Sequence, residues 1–486
     1  MLSSNLHIGT ILRVSGWLLM LEAAMLLPPL VMSLASGDGA AAGFSLAAGG
    51  CLIAGFLLAA IFRRSPTRIS RRDAFLLTSG IWILFSLAGM VPFTLSSAPL
   101  SGPEAFFETM SGFTTTGATM ISDVEAQSGS ILLWRSEIQW VGGLGIVLFI
   151  LALLPALNRD GGISMFNAEI TGVTHDKLHP RIRQTASSLW RLYSVMTLLL
   201  MLLLWAGPMD FLEAVCHAFA TTSTGGFSTS NTSIAGFHSE YTAWVLTVFM
   251  FGSGINFILL YNALRGQWRP LLNNDVLRAY AAIVGICWLL IILSRISDGG
   301  IHSFSEATLQ PLFTIASAIT STGFGYAPWP QWGPLALLLI CLMMFSGACA
   351  GSTSGALKID RLVALGKNLG NQTTLTLWPN HVVGVDLNGR LLPGNAMRRI
   401  AAFLTLYLLL AATGAAVLSM AGIALGDAIF AALSCLGNNG LGYGLTASDF
   451  SAIPDFGKWI LSALMLIGRL ELFGVLVILT PSFWRK

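Results

Sequence analysis

What most constrains this chain is the recurrence, from one end to the other, of apolar stretches long enough to cross a bilayer as helix. A spanning helix needs about 20 predominantly apolar residues. Such stretches fall near residues 8–33, 45–62, 74–94, 131–155, 188–206, 242–263, 277–294, 333–364, 399–420 and 456–481. Charged residues are 10% of the 486, whereas a soluble domain carries about 25%. So little charge cannot clothe a surface in water. The chain reads as an all-α polytopic membrane protein with ten spans. Its first stretch, Ile8 to Met32, is long, lacks a small-residue cleavage site and is followed by another span, so it reads as a retained helix. The six cysteines stand singly, without C-x-x-C spacing, and read as structural.

Lysine and arginine in short loops set the orientation. Arg63, Arg64, Arg68, Arg71 and Arg72 follow the second span, and Arg159, Lys177, Arg181, Arg183 and Arg191 occupy the next loop on that side. Arg265, Arg269, Arg278, Arg361, Lys367, Arg390, Arg398 and Arg399 come later on the same face. That face is expected to be cytoplasmic, with both termini on it. The opposite face is acidic, with Glu104, Glu108, Asp123, Glu125, Asp210, Glu213, Asp449 and Asp455 among its residues. An acidic vestibule would concentrate cations.

Past the first two spans, the order span, short segment, span recurs four times. The short segments, about 103–116, 210–224, 304–322 and 426–439, are too short to cross and suit re-entrant helices. The expected organisation is two additional N-terminal spans over 1–72 and four pore repeats over 73–160, 161–266, 267–370 and 371–486. Each short segment ends in a polar turn: Phe113-Thr114-Thr115-Thr116-Gly117, Thr221-Thr222-Ser223-Thr224-Gly225, Ile319-Thr320-Ser321-Thr322-Gly323 and Leu436-Gly437-Asn438-Asn439-Gly440. Ten residues before each glycine stands an apolar residue, Phe107, Val215, Phe313 or Phe430. One such cluster alone would fit an ordinary helix cap. Four at matched positions point to four pseudo-fourfold repeats around a central pore.

That arrangement suits a cation. A bare cation in a bilayer needs oxygens in place of its hydration shell, and non-helical backbone can supply them only where it is buried in protein or lines a pore. Glycine permits the positive φ that turns successive carbonyls. Neighbouring hydroxyl and amide side chains can satisfy the peptides left outside a helix. The short segments carry acidic or capping residues near their starts, namely Pro103-Glu104, Asp210 to Glu213, Ser303 with Glu306, and Asp427. Their C-terminal ends, which bear partial negative charge, would then face the mid-membrane cavity. The candidate ion-binding residues are Thr115, Thr116, Gly117, Ser223, Thr224, Gly225, Ser321, Thr322, Gly323, Asn438, Asn439 and Gly440.

On these four turns the chain resembles the Trk/Ktr/HKT superfamily of potassium transporters. The two extra N-terminal spans make it similar to the bacterial Trk-type membrane subunit. The resemblance implies potassium (K+) as the transported ion, because all four filter positions are glycine, and a serine at the first is associated in that family with sodium permeation. It also implies the bacterial inner membrane, a homodimer, and a cytosolic ring of TrkA-like nucleotide-binding regulatory subunits. No organic cofactor and no nucleic acid enter the expectation. A less selective K+/Na+ transporter and a proton-coupled potassium symporter stay open as alternatives.

Two further features lie outside the turns. The eighth span is interrupted by small residues from Gly347 through Gly351, Ser352, Thr353, Ser354 and Gly355 to Lys358. A continuous helix would not choose such a run. The last span carries Arg469 and Glu471 among apolar neighbours, which is costly unless they face protein or water. The family resemblance implies an intramembrane gating loop at the first and a pore-facing arginine beside it at the second. A kinked packing patch and a buried ion pair are the structural alternatives. No nucleophile, paired carboxylate, zinc spacing or phosphate-binding glycine loop is present to argue for an enzyme. His217 reads as a hydrogen-bonding residue of the second short segment. A proton-coupled carrier of organic substrates would call for midplane carboxylates and paired inverted repeats, whereas the sequence offers few such acids and four parallel repeats.

Overall fold

A computed structural model describes residues 6–66, 69–145, 182–297 and 303–485. Helices Ile8–Met25 and Leu27–Ser36 follow one another, with Pro28 and Pro29 in the first turn of the second, where a missing N–H leaves no intrahelical bond unmade. Ala41–Ile61 runs back antiparallel to them. The two backbones approach closely at Gly16 and Gly55, where an added Cβ on Gly16 would stand 2.7 Å from the Gly55 carbonyl oxygen. Such small-residue contacts let helices pack tightly where the lipid supplies no hydrophobic drive.

Four units follow, each with an outer helix, a half-length helix and an inner helix. The outer helices are Arg71–Gly89, Ile182–Trp205, Asp275–Ser297 and Gly394–Met420. The half-length helices are Gly102–Phe113, Phe211–Thr222, Phe304–Ile319 and Leu425–Leu436. The inner helices are Gly129–Gly143, Glu240–Ser253, Pro334–Ser346 and Asp455–Arg469. The first three half-length helices start on side-chain caps, whereas the fourth starts at Ala424 without one. The backbone N–H of Ser101 donates to Glu104 Oε2 at 3.0 Å, that of Glu213 to Asp210 Oδ1 at 2.7 Å, and that of Glu306 to Ser303 Oγ at 3.1 Å.

Six helical segments among the described residues are long and apolar enough to cross a membrane, the first of them being Ile8–Met25 and Leu27–Ser36 together. The other four stretches read as spans are not straight helices, and all four contain the inner helices. Glu240–Ser253 meets Phe257–Leu264 at 105°, and Asp455–Arg469 meets Phe473–Leu479 at 115°. Pro334–Ser346 stops at Gly347, and helix resumes only at Ile359. Gly129–Gly143 ends ahead of Gly145, and the rest of that stretch, with Arg159, Lys177 and Arg181, lies outside the described residues. Apolar residues flank these breaks on both sides, so apolar content alone reads each as one span, despite the small residues from Gly347 and the charges of Arg469 and Glu471. The arginine and glutamate of the last span sit at its bend, where Glu471 and Leu472 both take positive φ.

A buried ion pair ties the first unit together. Arg135 Nε donates to Glu108 Oε1 at 2.8 Å, and both side chains are almost fully enclosed. Glu108 also accepts from the Met120 N–H at 2.7 Å, and Arg135 donates to the Ser228 carbonyl at 3.1 Å. Removing one partner strands the other charge. Arg135→Ala should therefore destabilise the protein by about 3–5 kcal/mol, read as a fall in thermal unfolding temperature in detergent, and adding Glu108→Gln should recover much of the loss.

Candidate cation site

Each half-length helix breaks off in the same way. The second residue after its end takes a left-handed conformation, at Thr115 (φ 54°), Thr224 (φ 56°), Ser321 (φ 53°) and Asn438 (φ 51°). One residue intervenes, and a left-handed glycine follows, Gly117 (φ 80°), Gly226 (φ 78°), Gly323 (φ 83°) and Gly440 (φ 75°). A left-handed non-glycine residue costs about 1–2 kcal/mol, so its recurrence at one position shows the surroundings dictating the backbone. The intervening N–H donates back to the helix in every unit: Thr116 to Ser111 O, Gly225 to Ala220 O, Thr322 to Ser317 O and Asn439 to Ser434 O, at 2.7–2.9 Å.

This pattern corrects the second turn by one residue. The sequence reading aligned Ser223, Thr224 and Gly225 with the other triplets, whereas Thr224, Gly225 and Gly226 occupy those places. The half-length helix ends at Thr222, and of the adjacent glycines only Gly226 has positive φ. The residue matching Phe107, Phe313 and Phe430 is accordingly the buried Cys216 and not Val215. The Gly-Gly pair and the run of hydroxyl residues before it made the two registers indistinguishable by pattern.

The four turns meet in a closed cycle. A Cβ added to Gly117 would overlap the carbonyl oxygen of Gly225, one on Gly226 that of Thr322, one on Gly323 that of Asn439, and one on Gly440 that of Thr116. Each left-handed glycine thus has the next turn's backbone against its Cα, and the fourth closes on the first. Side chains knit the ring further. Asn438 Nδ2 donates to Thr116 Oγ1 at 3.0 Å and to the Met465 carbonyl at 2.9 Å, and Asn439 Nδ2 donates to Ala318 O at 2.6 Å. Among the described residues no cluster of His, Cys, Asp or Glu could hold a metal ion. The oxygens gathered at the ring are those of carbonyls, hydroxyls and amides.

The loop between Ser346 and Ile359 lies against the C-terminal ends of the half-length helices. Thr353 Oγ1 donates to Thr222 O at 3.3 Å, and the Gly355 N–H donates to Ser321 Oγ at 2.7 Å. A Cβ on Gly355 would overlap the Gly437 carbonyl oxygen. Gly347 (φ 65°), Gly351 (φ 76°) and Lys358 (φ 71°) turn the chain. Ser352 Oγ donates to Cys349 O at 2.6 Å, and Ser354 Oγ accepts from the Ala348 N–H at 3.1 Å. Asn256, at the break in the second inner helix, donates to Ala350 O at 2.7 Å.

Arg469 joins the loop to the first unit. Its Nη1 donates to Thr353 O at 2.9 Å, and its Nη2 to Gly142 O at 2.5 Å and Gly143 O at 2.6 Å. Glu471 pairs instead with Arg361 and, at 3.5 Å, with Lys358 Nζ. The loop and the arginine together touch all four units beneath the ring. His217 bonds Glu213 O at 2.8 Å and Ser228 Oγ at 2.9 Å, and so spends both ring nitrogens on structure.

Sequence reasoning missed Gly226, Gln139, Asn256 and the partners of Glu471. Gln139 Nε2 donates to Gly225 O at 2.7 Å. An uncharged glutamine in an apolar helix was the available signal. The corrected register makes a stability prediction. Gly226→Ala forces a left-handed alanine into the Thr322 carbonyl, whereas Gly225→Ala meets only the end of the Gln139 side chain. Gly226→Ala should lower the unfolding temperature in detergent more than Gly225→Ala, by a margin equivalent to about 1–2 kcal/mol.

Known proteins place this architecture. The family model for TrkH, described as a cation transport protein, matches residues 46–270 and 276–486. The Trk system potassium uptake protein TrkH of Escherichia coli K12 is 33% identical, with 99% of this chain and 100% of that protein covered. TrkG of the same organism is 29% identical over 99% of each. The crystal structure of the potassium transporter TrkH from Vibrio parahaemolyticus superposes with a TM-score of 0.89 at 30% identity, covering 99% of this chain and 100% of that one. With a family of transporters and not enzymes matched along nearly its whole length, this multi-pass membrane chain belongs to the TrkH family of cation transport proteins.

Proposed function

We propose that the chain carries potassium into the bacterial cell as the membrane component of a Trk-type uptake system, with the four-turn ring as its selectivity filter. The observation that carries this reading is the closed cycle of left-handed glycines against neighbouring carbonyls, which sets four non-helical backbones around one axis. Such a ring can replace a cation's hydration shell with neutral oxygens. The half-length helices end at the ring, and their C-terminal dipoles favour positive charge there. The relatives named as potassium uptake proteins support potassium as the ion.

The loop from Gly347 to Lys358 serves as the closure under the filter. Arg469 holds it shut through backbone carbonyls and sets a positive charge beside the cation path. Both termini lie in the cytoplasm. A second copy of the chain and cytosolic nucleotide-binding regulatory subunits are the proposed partners, and the helix Ile359–Leu377, with Leu369 and Leu377 exposed along it and Trp378 exposed just past its end, gives them an apolar surface beyond the closure.

Expression in a bacterium that lacks its own potassium uptake tests the reading, and growth at low potassium is the expected result. Gly117→Ser should reduce discrimination of potassium over sodium in liposomes, because the new Cβ displaces the Gly225 carbonyl; unchanged relative permeability would count against the filter. Shortening Gly351–Gly355 should raise rubidium flux per folded molecule and leave selectivity nearly intact. Arg469→Ala should act in the same direction, and the two changes together should be less than additive. A fall in flux in both variants would sink the closure.

A further inference from the structure

The four turns share a backbone but not a fastening. In the third, Ser317 Oγ donates to Phe324 O at 2.9 Å, and in the fourth, Ser434 Oγ donates to Leu441 O at 2.8 Å. Each serine straps the last turns of its half-length helix to the residue just past the left-handed glycine. The first unit has Ser111 at that place, but its buried hydroxyl finds no partner. There Glu108 holds the exit instead, through the Met120 N–H and Thr119 Oγ1. The second unit has Ala220, which carries no hydroxyl at all.

The second turn, like the first, therefore has no strap of its own at the residue just past the left-handed glycine. Its exit is held one residue further on, where His217 Nε2 meets Ser228 Oγ at 2.9 Å, and its backbone has the most freedom, since Gly225 and Gly226 are adjacent. The restraint around Gly226 itself comes from another unit. Gln139, fully buried on the inner helix Gly129–Gly143, donates from Nε2 to Gly225 O at 2.7 Å and accepts at Oε1 from the Phe227 N–H at 3.2 Å. One carboxamide thus brackets the left-handed Gly226 on both sides. It also explains why position 225 is glycine without positive φ: an added Cβ would stand 2.6 Å from Gln139 Oε1 and 2.8 Å from Nε2.

We infer that Gln139 is a positioning residue for ion selectivity, an external brace that does for the second quarter of the filter what Ser317 and Ser434 do for the third and fourth. The inference rests on the filter assigned under the proposed function. Without the carboxamide, the Gly225 carbonyl and the Phe227 N–H are left buried and unpaired, which favours any rotation that finds them partners. The peptide between two glycines offers little resistance. Discrimination between cations depends on where the oxygens are held, so the loss falls on selectivity ahead of throughput.

The test uses the full chain in liposomes, with rubidium uptake measured against sodium competition and normalised to folded protein. Gln139→Ala should reduce discrimination against sodium on the order of tenfold, the ratio that corresponds to about 1.4 kcal/mol. Ala220→Ser in the same background should restore much of it, because the new hydroxyl stands where Ser317 and Ser434 have theirs and can strap Phe227 O. A residue that only stabilises the fold would lower the folded yield without moving the ratio, and Ala220→Ser would not rescue the ratio. If Gln139→Ala does not accumulate, Gln139→Met keeps the length without the hydrogen bonds and takes its place in each arm. An unchanged ratio in the Gln139 variant alongside a shifted ratio in Gly117→Ser would overturn the inference and leave the filter standing. An unchanged ratio in both would overturn the filter itself.

Discussion

Backbone that leaves the helix at membrane depth has no water to turn to, and every peptide group it frees must find a partner in the protein. The four turns are organised around that requirement. Their intervening amides bond back to the helix, their left-handed residues aim the chain inward, and each glycine admits the neighbouring turn's carbonyl against its Cα. The glycines are fixed by a steric contact as much as by φ. Any side chain there would have to move a backbone oxygen belonging to a different unit, so the ring is one object and not four independent loops.

The same requirement shapes what lies under the ring. All four inner helices end where the turns begin, and each break exposes carbonyls. Arg469 uses two of them, at Gly142 and Gly143, together with Thr353 O, as an anchor for its guanidinium. Glu471 pairs with Arg361 and Lys358 at the root of the loop. The buried charges of the last span are therefore divided between two tasks. The arginine reads three backbone dipoles on two segments, and the glutamate secures the start of the helix that follows the loop.

Much of this was written in the sequence. The apolar stretches gave the membrane class, and the capping residues Asp210, Ser303 and Glu306 marked the starts of half-length helices within a residue or two. The polar turns and the interrupted eighth span were legible because glycine, serine and threonine are poor choices inside an apolar helix. What escaped were features with no local signature. The break after Ser253 sits inside an apolar run, and Arg469 and Glu471 marked a costly site in the last span without marking a bend. The choice of Gly226 over Gly225 depends on a carbonyl from another unit. Gln139 and Asn256 act on segments far from them in the chain, and no spacing rule connects residues whose contact exists only after folding.

The inner-helix breaks are not alike, and the difference bears on how such a pathway could open. In the second and fourth units helix resumes within a few residues, whereas in the third the chain wanders from Gly347 to Lys358 before Ile359 begins the next helix. Under the proposed function the obstruction among the described residues is thus lopsided: a bolt drawn from one wall, not an iris whose leaves must retract together. A bolt can slide while the frame stays rigid, and its motion is a local event with no need for concerted rotation of the four walls. A signal arriving at one flank of the molecule, along Ile359–Leu377, would suffice to work it.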